Sequence, residues 1–490
     1  MGICRREFGA CILGALASQA FALPTRPKLL VLVLIEQLRA DAIDAAWSQF
    51  GTGGFRRLLE KGAYFADCRH LASAFPATGI ATLATGAWPS QHGIVADSWY
   101  DRAAHRPVSA SDEDLLATTL AAQLAADARA RVFVVAMNQA HGALFAGSPA
   151  AQLFWMDERG TFSARGEAPD WLADYNSAKG PESAHAQRWM ALGVKPDAAA
   201  LRILTYDAER PQEFLALYKA SPFGQGAQYD FLGELMARQR IGQGSTFDFV
   251  CLLDGSTGQL GYETGGNSPL MQQMVLRLDI RLEALLAGLT HTLGENGFNL
   301  VLAAAHGAPP EPAEESRARM AVSGEAVAES VEKSLAAAGN GRVEKYLYPF
   351  LYLDTSGFRD PEPVRVAAAR AAFEHRAVAG YYTAGGACST RDEWQQRFRN
   401  SFHPKRSGDV MLSYRAEYVE DFGAGRGVSY GSLYNYDVRV PLCFYGPQFR
   451  AGVFESPVAS VDVAPTLARA MGIAAPSSAI GRVLGEAFPE

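Results

Sequence analysis

The chain has 490 residues, a formal net charge of −7, 48% hydrophobic residues and 20% charged residues. These values are ordinary for a globular protein and give no reason to expect nucleic acid or an anionic membrane surface as a partner. The length predicts one large α/β domain with inserted segments, or two domains.

The first 22 residues have the pattern of a signal peptide. Arg5 and Arg6 form a basic start, a mostly apolar run covers residues 10–17, and Ala20-Phe21-Ala22 fits a small-x-small cleavage site. The arginine pair also resembles a twin-arginine signal, which directs export in a folded state. We therefore expect a periplasmic or secreted protein without a stable membrane span after cleavage; an uncleaved amphipathic N terminus is the alternative.

Five continuous apolar runs have the length of strands and suit a parallel sheet that is buried on both faces; they cover residues 29–35, 131–136, 247–253, 298–303 and 440–445. Helical patterns lie between them. The clearest runs from Ser268 to Leu289, with Ser268 as the cap and Pro269 in the first turn, and another runs from Asp462 to Met471, closed by Gly472. This alternation predicts a doubly wound, mostly parallel α/β sheet flanked by helices, with functional groups at the carboxyl ends of its strands.

Two segments lack this alternation and are interpreted as cap insertions over the core. Residues 163–240 are rich in aromatics, Pro and Ala, and residues 345–404 mix short strand-like and helical pieces. With the signal peptide at 1–22, the core then comprises three parts, at residues 23–162, 241–344 and 405–490.

Four cysteines follow the signal-like segment, at positions 68, 251, 388 and 443. They form no CxxC pair, so a zinc knuckle is not expected. Export would permit a disulfide between Cys68 and Cys388, although the spacing does not establish one.

The predicted strand ends offer few groups for hydrolytic chemistry. Glu36 follows the first strand, Asp254 follows the strand at 247–253, and His306 follows the strand at 298–303 without an adjacent carboxylate. Two zinc ions that activate a nucleophile need three or four ligands each. Local chemistry supplies only Glu36 and His306 as candidate metal ligands.

Several motifs nevertheless match a known family, and the chain resembles the alkaline phosphatase superfamily. The branch is that of type I phosphodiesterase/nucleotide pyrophosphatases and the periplasmic phosphate-irrepressible alkaline phosphatases. The matching runs are GGFRRLLEKGAYF, TLATGAWPSQHGI with SWYD, GGNSP before VLRLD, HPKRSGDV, YGSLYNYDVRVPLCFYGP and SPVASVDVAPTLARAMGI. The resemblance extends from about Arg26 to the C terminus. It implies an alkaline phosphatase-like core with a cap, and a two-zinc site for hydrolysis of phosphoric esters.

Carried over position by position, the resemblance implies a degenerate active site. Glu36 stands where the family has a metal-binding Asp, and Pro76 stands where it has the nucleophilic Thr; Thr78 is a weak substitute nucleophile. Of the remaining ligands the chain keeps only His306. The other ligand positions are occupied by Gly258, Tyr262, Ala305 and Tyr430, and the phosphate-contact positions by Asp97, Asn138 and Ala140.

Three hypotheses follow. The first is an inactive pseudo-phosphatase without a cofactor, which binds, assembles with or regulates an unidentified protein or small-molecule partner. The second is a metal-dependent phosphoric monoester or diester hydrolase with zinc held by rearranged His and carboxylate ligands near Glu36 and His306. The third is a binding protein for a small organic ligand or glycan, held in the former cleft around Tyr262 and Tyr430.

Overall fold

The computed structural model describes residues 27–127, 129–195, 197–310, 320–339, 341–416, 418–421 and 430–489. The predicted signal peptide at residues 1–22, with its arginine pair, lies outside the described residues.

Strands within this part of the chain are β1 (Leu29–Gln37), β2 (Ala63–Arg69), β3 (Ser98–Asp101), β4 (Arg106–Ser109), β5 (Ala130–Ala136), β6 (Gln152–Met156), β7 (Phe162–Ala164), β8 (Arg188–Trp189), β9 (Arg202–Ile203), β10 (Phe247–Asp254), β11 (Phe298–His306), β12 (Ala321–Val322), β13 (Arg342–Leu347), β14 (Phe350–Asp354), β15 (Val378–Thr383), β16 (Val410–Tyr414), β17 (Val419–Glu420), β18 (Arg439–Tyr445), β19 (Gly452–Phe454) and β20 (Val458–Ala459).

The α-helices are α1 (Ala40–Ala46), α2 (Phe55–Lys61), α3 (Pro76–Thr85), α4 (Pro89–His92), α5 (Leu120–Ala125), α6 (Gln139–Ala146), α7 (Trp171–Ala178), α8 (Pro211–Lys219), α9 (Pro222–Arg238), α10 (Ser256–Thr264), α11 (Pro269–Leu293), α12 (Gly324–Ala337), α13 (Glu362–Phe373), α14 (Glu393–Ser401), α15 (Asn435–Val438) and α16 (Val463–Met471).

A ten-stranded sheet forms the centre of the molecule, in the order β19-β2-β18-β11-β1-β10-β5-β6-β7, with β20 also paired to β2. Strand β1 lies between β10 and β11 and is parallel to both. Its nine residues, LLVLVLIEQ, are all buried, as expected for a central strand that is covered by helices on both faces. The mostly parallel, doubly wound sheet that the sequence predicts is therefore confirmed.

All five predicted strands and both predicted helices are present. The Ser268 hydroxyl accepts a hydrogen bond from the Met271 amide at 3.1 Å, so Ser268 caps α11 as expected. Gly472 closes α16 in the left-handed conformation, at φ 62°. One expectation is corrected, because β18 (the predicted strand at 440–445) runs antiparallel to β11 and β2.

A second, four-stranded sheet in the order β13-β14-β16-β15 lies outside the central sheet. Its strands fall within residues 342–414, so it extends beyond both ends of the insertion predicted at 345–404. The other predicted insertion, at 163–240, includes α9, whose Phe231 stacks on Phe162 of the central sheet at 3.9 Å between ring centroids. That helix therefore packs with the core.

The four cysteines outside the N-terminal segment are free thiols; Cys68, Cys251 and Cys443 are buried, and Cys388 is partly buried. The disulfide between Cys68 and Cys388 that export would permit is therefore not formed. Among the described helices, none has both the length and the apolar character needed to cross a bilayer.

Candidate functional site

Glu36 lies near the carboxyl end of β1, where the sequence predicts a functional group, and its closest polar partner is a histidine. The Nδ1 atom of His141, on α6, donates a hydrogen bond to the Glu36 Oε1 atom at 2.7 Å. The Glu36 side chain is 4% exposed and that of His141 is 18% exposed. A buried carboxylate therefore has an imidazole as its counter-charge at the position where the resemblance implies a metal ligand.

The two groups favour each other's charged forms. Burial alone would raise the pKa of Glu36, but the charge and hydrogen bond of His141 outweigh burial and lower that pKa below its ordinary value. Burial alone would lower the pKa of His141, but Glu36 and then Asp97 outweigh it and raise that pKa. These shifts favour the carboxylate form of Glu36 and the imidazolium form of His141.

Gly258, at a former ligand position on α10, lies directly against Glu36. A Cβ atom at Gly258 would be 2.9 Å from the Glu36 Oε2 atom and 3.3 Å from its Cβ atom. The longer carboxylate at position 36 thus occupies space that a side chain at position 258 would need. The two departures from the family pattern fit each other sterically.

Asp97 and Tyr430 form the next part of the site. The Asp97 Oδ1 atom accepts a hydrogen bond from the Ala77 amide at 3.0 Å, and the Tyr430 side chain interacts electrostatically with the Asp97 carboxylate. Burial raises the pKa of Asp97, with Glu36 adding to this effect and His141 opposing it. Asp97 is thus held by protein groups within the electrostatic range of the Glu36–His141 pair.

Aromatic rings fill the space between these groups. The Tyr430 ring contacts the rings of His306, Phe75 and Tyr262, with centroids 5.2, 6.1 and 6.3 Å away, respectively. Tyr262 and Tyr430 stand at former ligand positions, and the structure brings them into edge-to-face contact.

His306 at the end of β11 is fully buried. Its Nδ1 atom lies 2.6 Å from the Gly307 carbonyl oxygen, and its Nε2 atom has no hydrogen-bond partner among the described residues. Burial lowers the pKa of His306 to about 4. The imidazole is therefore neutral at pH 7 and close enough to Glu36 to interact with its charge.

Pro76 and Thr78, the former nucleophile position and its proposed substitute, both lie in the first turn of α3. Pro76 is the first helical residue. This position suits proline, because the N–H group that proline lacks would have no acceptor within the helix. The Thr78 hydroxyl donates to the Ser73 and Phe75 carbonyl oxygens at 2.7 and 2.9 Å and accepts from the Phe75 amide at 3.1 Å. Thr78 is fully buried, and its bond to the Phe75 amide makes its hydroxyl part of the N-terminal cap of α3.

The start of α3 also touches the end of β11 through the main chain. A Cβ atom at Gly79 would be 2.1 Å from the carbonyl oxygen of Ala305, so only glycine allows this approach. The turn at Pro76 and the strand end at Ala305, where the resemblance implies a nucleophile and a metal ligand, are thus in backbone contact.

Asn138 and Ala140, at former phosphate-contact positions, belong to the start of α6. The Asn138 side chain caps this helix by accepting from the amides of Ala140 and His141 at 2.8 and 3.2 Å. His141 was not singled out from the sequence, although it adjoins Ala140, because no ligand spacing involves it. Its role depends on the start of α6, which packs against α3, β5 and β6, bringing the imidazole to the carboxyl end of β1.

Asp254, at the end of β10, makes a separate buried network with the Gln225 and Gln228 side chains at 2.9 and 3.4 Å and with the Ser256 amide at 3.1 Å. Burial raises the pKa of Asp254 to about 6. These contacts hold α9 and the start of α10 at the end of β10, the strand next to β1.

The donor set does not fit the two-zinc site that the resemblance implies. Within the described residues, no group of three or more His, Cys, Asp or Glu side chains is arranged to hold a metal ion. Glu36 is already engaged by His141, and Gly258 and Ala305 carry no donor side chain. We therefore derive no chemical step through zinc.

Comparison with known proteins identifies the family to which this fold belongs. A family model described as "Type I phosphodiesterase / nucleotide pyrophosphatase" matches residues 30–419. Alkaline phosphatase PhoV of Synechococcus elongatus is 25% identical over 94% of this chain and 92% of its own length. Alkaline phosphatase PafA of Elizabethkingia meningoseptica is 24% identical over 96% of both chains.

Solved structures show the same fold. The crystal structure of wild-type alkaline phosphatase PafA matches with a TM-score of 0.83 and 22% identity, covering 96% of this chain and all of that one. Murine ectonucleotide pyrophosphatase / phosphodiesterase 5 matches with a TM-score of 0.57 and 13% identity, over 91% and 95% of the two chains. With 390 residues matched by the family model, the chain belongs to the type I phosphodiesterase/nucleotide pyrophosphatase family, in the alkaline phosphatase superfamily.

Proposed function

We propose that this protein is an exported pseudo-phosphatase, which retains the family scaffold but does not hydrolyse phosphoric esters through a zinc pair. The observation that carries the proposal is the Glu36–His141 ion pair at 2.7 Å. His141 occupies the side of the Glu36 carboxylate that a metal ion would need, and its raised pKa favours the imidazolium form, whose charge opposes that of the carboxylate.

The former nucleophile turn supports the same proposal. Pro76 has no hydroxyl, and the Thr78 hydroxyl is occupied by backbone groups of its own turn. A nucleophile must be near a base and free to reach the reacting atom. The protein would then act through binding, assembly or regulation, in the periplasm or outside the cell, with a protein or small-molecule partner.

The deciding experiment measures metal content and turnover together. Purified mature protein is incubated with zinc, desalted, analysed for metal and assayed with p-nitrophenyl phosphate and bis-p-nitrophenyl phosphate. We expect less than stoichiometric zinc and no turnover above the rate without protein. Stoichiometric zinc, with turnover that a chelator removes, would overturn the proposal.

A second candidate, a hydrolase with rearranged ligands, is favoured by one observation. His141 converges on Glu36, which is the kind of additional group that this hypothesis requires. On that candidate, Glu36, His141 and His306 would be the residues to hold the ion, and His141 would have to be neutral. In the experiment above, this candidate predicts zinc-dependent turnover that His141→Gln abolishes.

The third candidate, ligand binding in the former cleft, is weakened by the aromatic contacts there. Tyr430 packs against His306, Phe75 and Tyr262 in the space that a ligand would need. A small-molecule partner is therefore better sought elsewhere on the protein.

A further inference from the structure

A cleft of 470 Å³ lies where the start of α9 meets α11 and β8. Its described lining comprises three arginines and five apolar residues, with no Asp or Glu, namely Arg188, Arg277, Arg281, Trp189, Met190, Pro222, Phe223 and Ile280. Helix α10 separates this cleft from the site at Glu36, because Gly258 faces Glu36 whereas Leu260 packs with Trp189.

Arg277 is a half-buried cation without an anionic partner. Its Nη2 atom donates to the Met190 carbonyl oxygen at 3.0 Å, and it makes no ion pair with the described residues. Burial lowers the pKa of Arg277, and the like charge of Arg281 lowers it further. A partly desolvated cation beside a second cation is unfavourable unless an anion compensates it.

The remaining features also favour an anion. Arg281 lies across Gly226, where a Cβ atom would be 2.1 Å from its Nη2 atom, and donates to Asp230 at 3.1 Å, so its position is fixed. Pro222 and Phe223 form the first turn of the 17-residue helix α9, whose N-terminal end carries a partial positive charge.

From this geometry we propose that the cleft binds a small organic anion, with its oxyanion group against Arg277 and Arg281 and an apolar, ring-sized group against Phe223 and Ile280. Ile280 is 45% exposed and is available for such a contact. The volume falls within the range of small-molecule sites, which combine apolar walls with a few polar groups. The proposal does not depend on whether the site at Glu36 is catalytic.

The test is calorimetric titration of the mature protein with phenylphosphonate, benzoate, inorganic phosphate and phenol. We expect at least one of the two aromatic anions to bind more tightly than inorganic phosphate or phenol, and to bind more weakly as salt increases. The comparison of phenylphosphonate with benzoate distinguishes a phosphate-type from a carboxylate-type ligand.

Two variants locate the binding. Arg277→Gln removes the unpaired cation, and Ile280→Asp adds a negative charge on the exposed wall of α11, where folding is not at risk. Each is expected to weaken binding by about tenfold or more, Arg277→Gln because it removes a charged hydrogen-bond donor and Ile280→Asp because its carboxylate repels the anion. Arg238→Gln, at the exposed end of α9, is the control and leaves affinity unchanged. The proposal is wrong if neither aromatic anion binds, or if both variants bind as the wild type does.

Discussion

The carboxylate of Glu36 takes up the space that a side chain at Gly258 would need, because a Cβ atom at position 258 would lie 2.9 Å from the Glu36 Oε2 atom. Each residue departs from the family pattern in a way that suits the other. A substitution at one position should therefore have an effect that depends on the residue at the other.

A double-mutant cycle measures this dependence. Alanine in place of glycine within a helix stabilises by about 1 kcal/mol, but at Gly258 the contact with Glu36 opposes this gain. We expect Gly258→Ala to be neutral or destabilising alone and stabilising beside Glu36→Asp, with a coupling of about 1 kcal/mol. Urea unfolding of the four proteins gives the coupling.

The control for this cycle is Gly233→Ala on α9, where an added Cβ atom meets nothing within 4 Å. It should stabilise by the full helical preference whichever residue is at position 36. Additivity of Glu36→Asp and Gly258→Ala to within about 0.3 kcal/mol would contradict the steric coupling.

The Glu36–His141 pair predicts a specific dependence of stability on pH. The pKa of His141 is raised above 6.5 in the folded state, so its contribution is complete below pH 6.5 and is lost as the pH rises through the folded pKa. The pKa of Glu36 is lowered below 4.5, so its contribution is complete above pH 4.5 and is lost as the pH falls through the folded pKa. The pair therefore stabilises most between pH 4.5 and pH 6.5.

His141→Gln is the variant that tests this window. Removing one partner of a buried pair costs about 3 kcal/mol, and we expect the difference from the wild type to be largest between pH 4.5 and pH 6.5 and to shrink above it. Chemical denaturation across the pH range measures the difference. The exposed His291→Gln variant controls for replacing a histidine; a difference that grows steadily towards pH 9 would refute the ion pair.

Thr78 should behave as a capping residue. Thr78→Val removes a hydroxyl that bonds Ser73 and Phe75, and should reduce the free energy of unfolding by about 1–2 kcal/mol. Thr78→Ser retains the hydroxyl and should cost less. Thermal unfolding compares the two, and an effect of Thr78→Val on hydrolysis without an effect on stability would instead mark Thr78 as a nucleophile.

Restoring the family nucleophile alone should not restore activity. Pro76→Thr supplies a hydroxyl, but Gly258, Tyr262, Ala305 and Tyr430 still supply no family ligand. We expect turnover of p-nitrophenyl phosphate to stay at the rate without protein, with or without added zinc. Zinc-dependent turnover that appears with Pro76→Thr would show that the other positions retain a working metal site.

The fold was largely predictable because its signals are local. The run LLVLVLI at residues 29–35 is apolar on both faces, as a central parallel strand requires, and Ser268 before Pro269 marks a helix start. The direction of β18 was not predictable, because a buried strand has the same pattern whether it runs parallel or antiparallel. The strands of the second sheet, β13 to β16, were not predicted individually because they are short and lack strong periodicity.

The site was only partly predictable for a different reason. Glu36 and His306 follow strands and can be found by position, and the motifs place Pro76, Gly258 and Tyr430. The role of His141 depends on α6 meeting the end of β1 through one side-chain contact between segments about a hundred residues apart. No spacing in the sequence encodes the 2.7 Å contact that defines the site.

The backbone contact between Gly79 and Ala305 explains how a scaffold can outlast its chemistry. It joins the start of α3 to the end of β11 without using any of the side chains that a zinc phosphatase needs. Selection for catalysis and selection for folding therefore act on different atoms at the same place. On the proposed function, side chains at the site can change while this main-chain contact keeps the outline of the site.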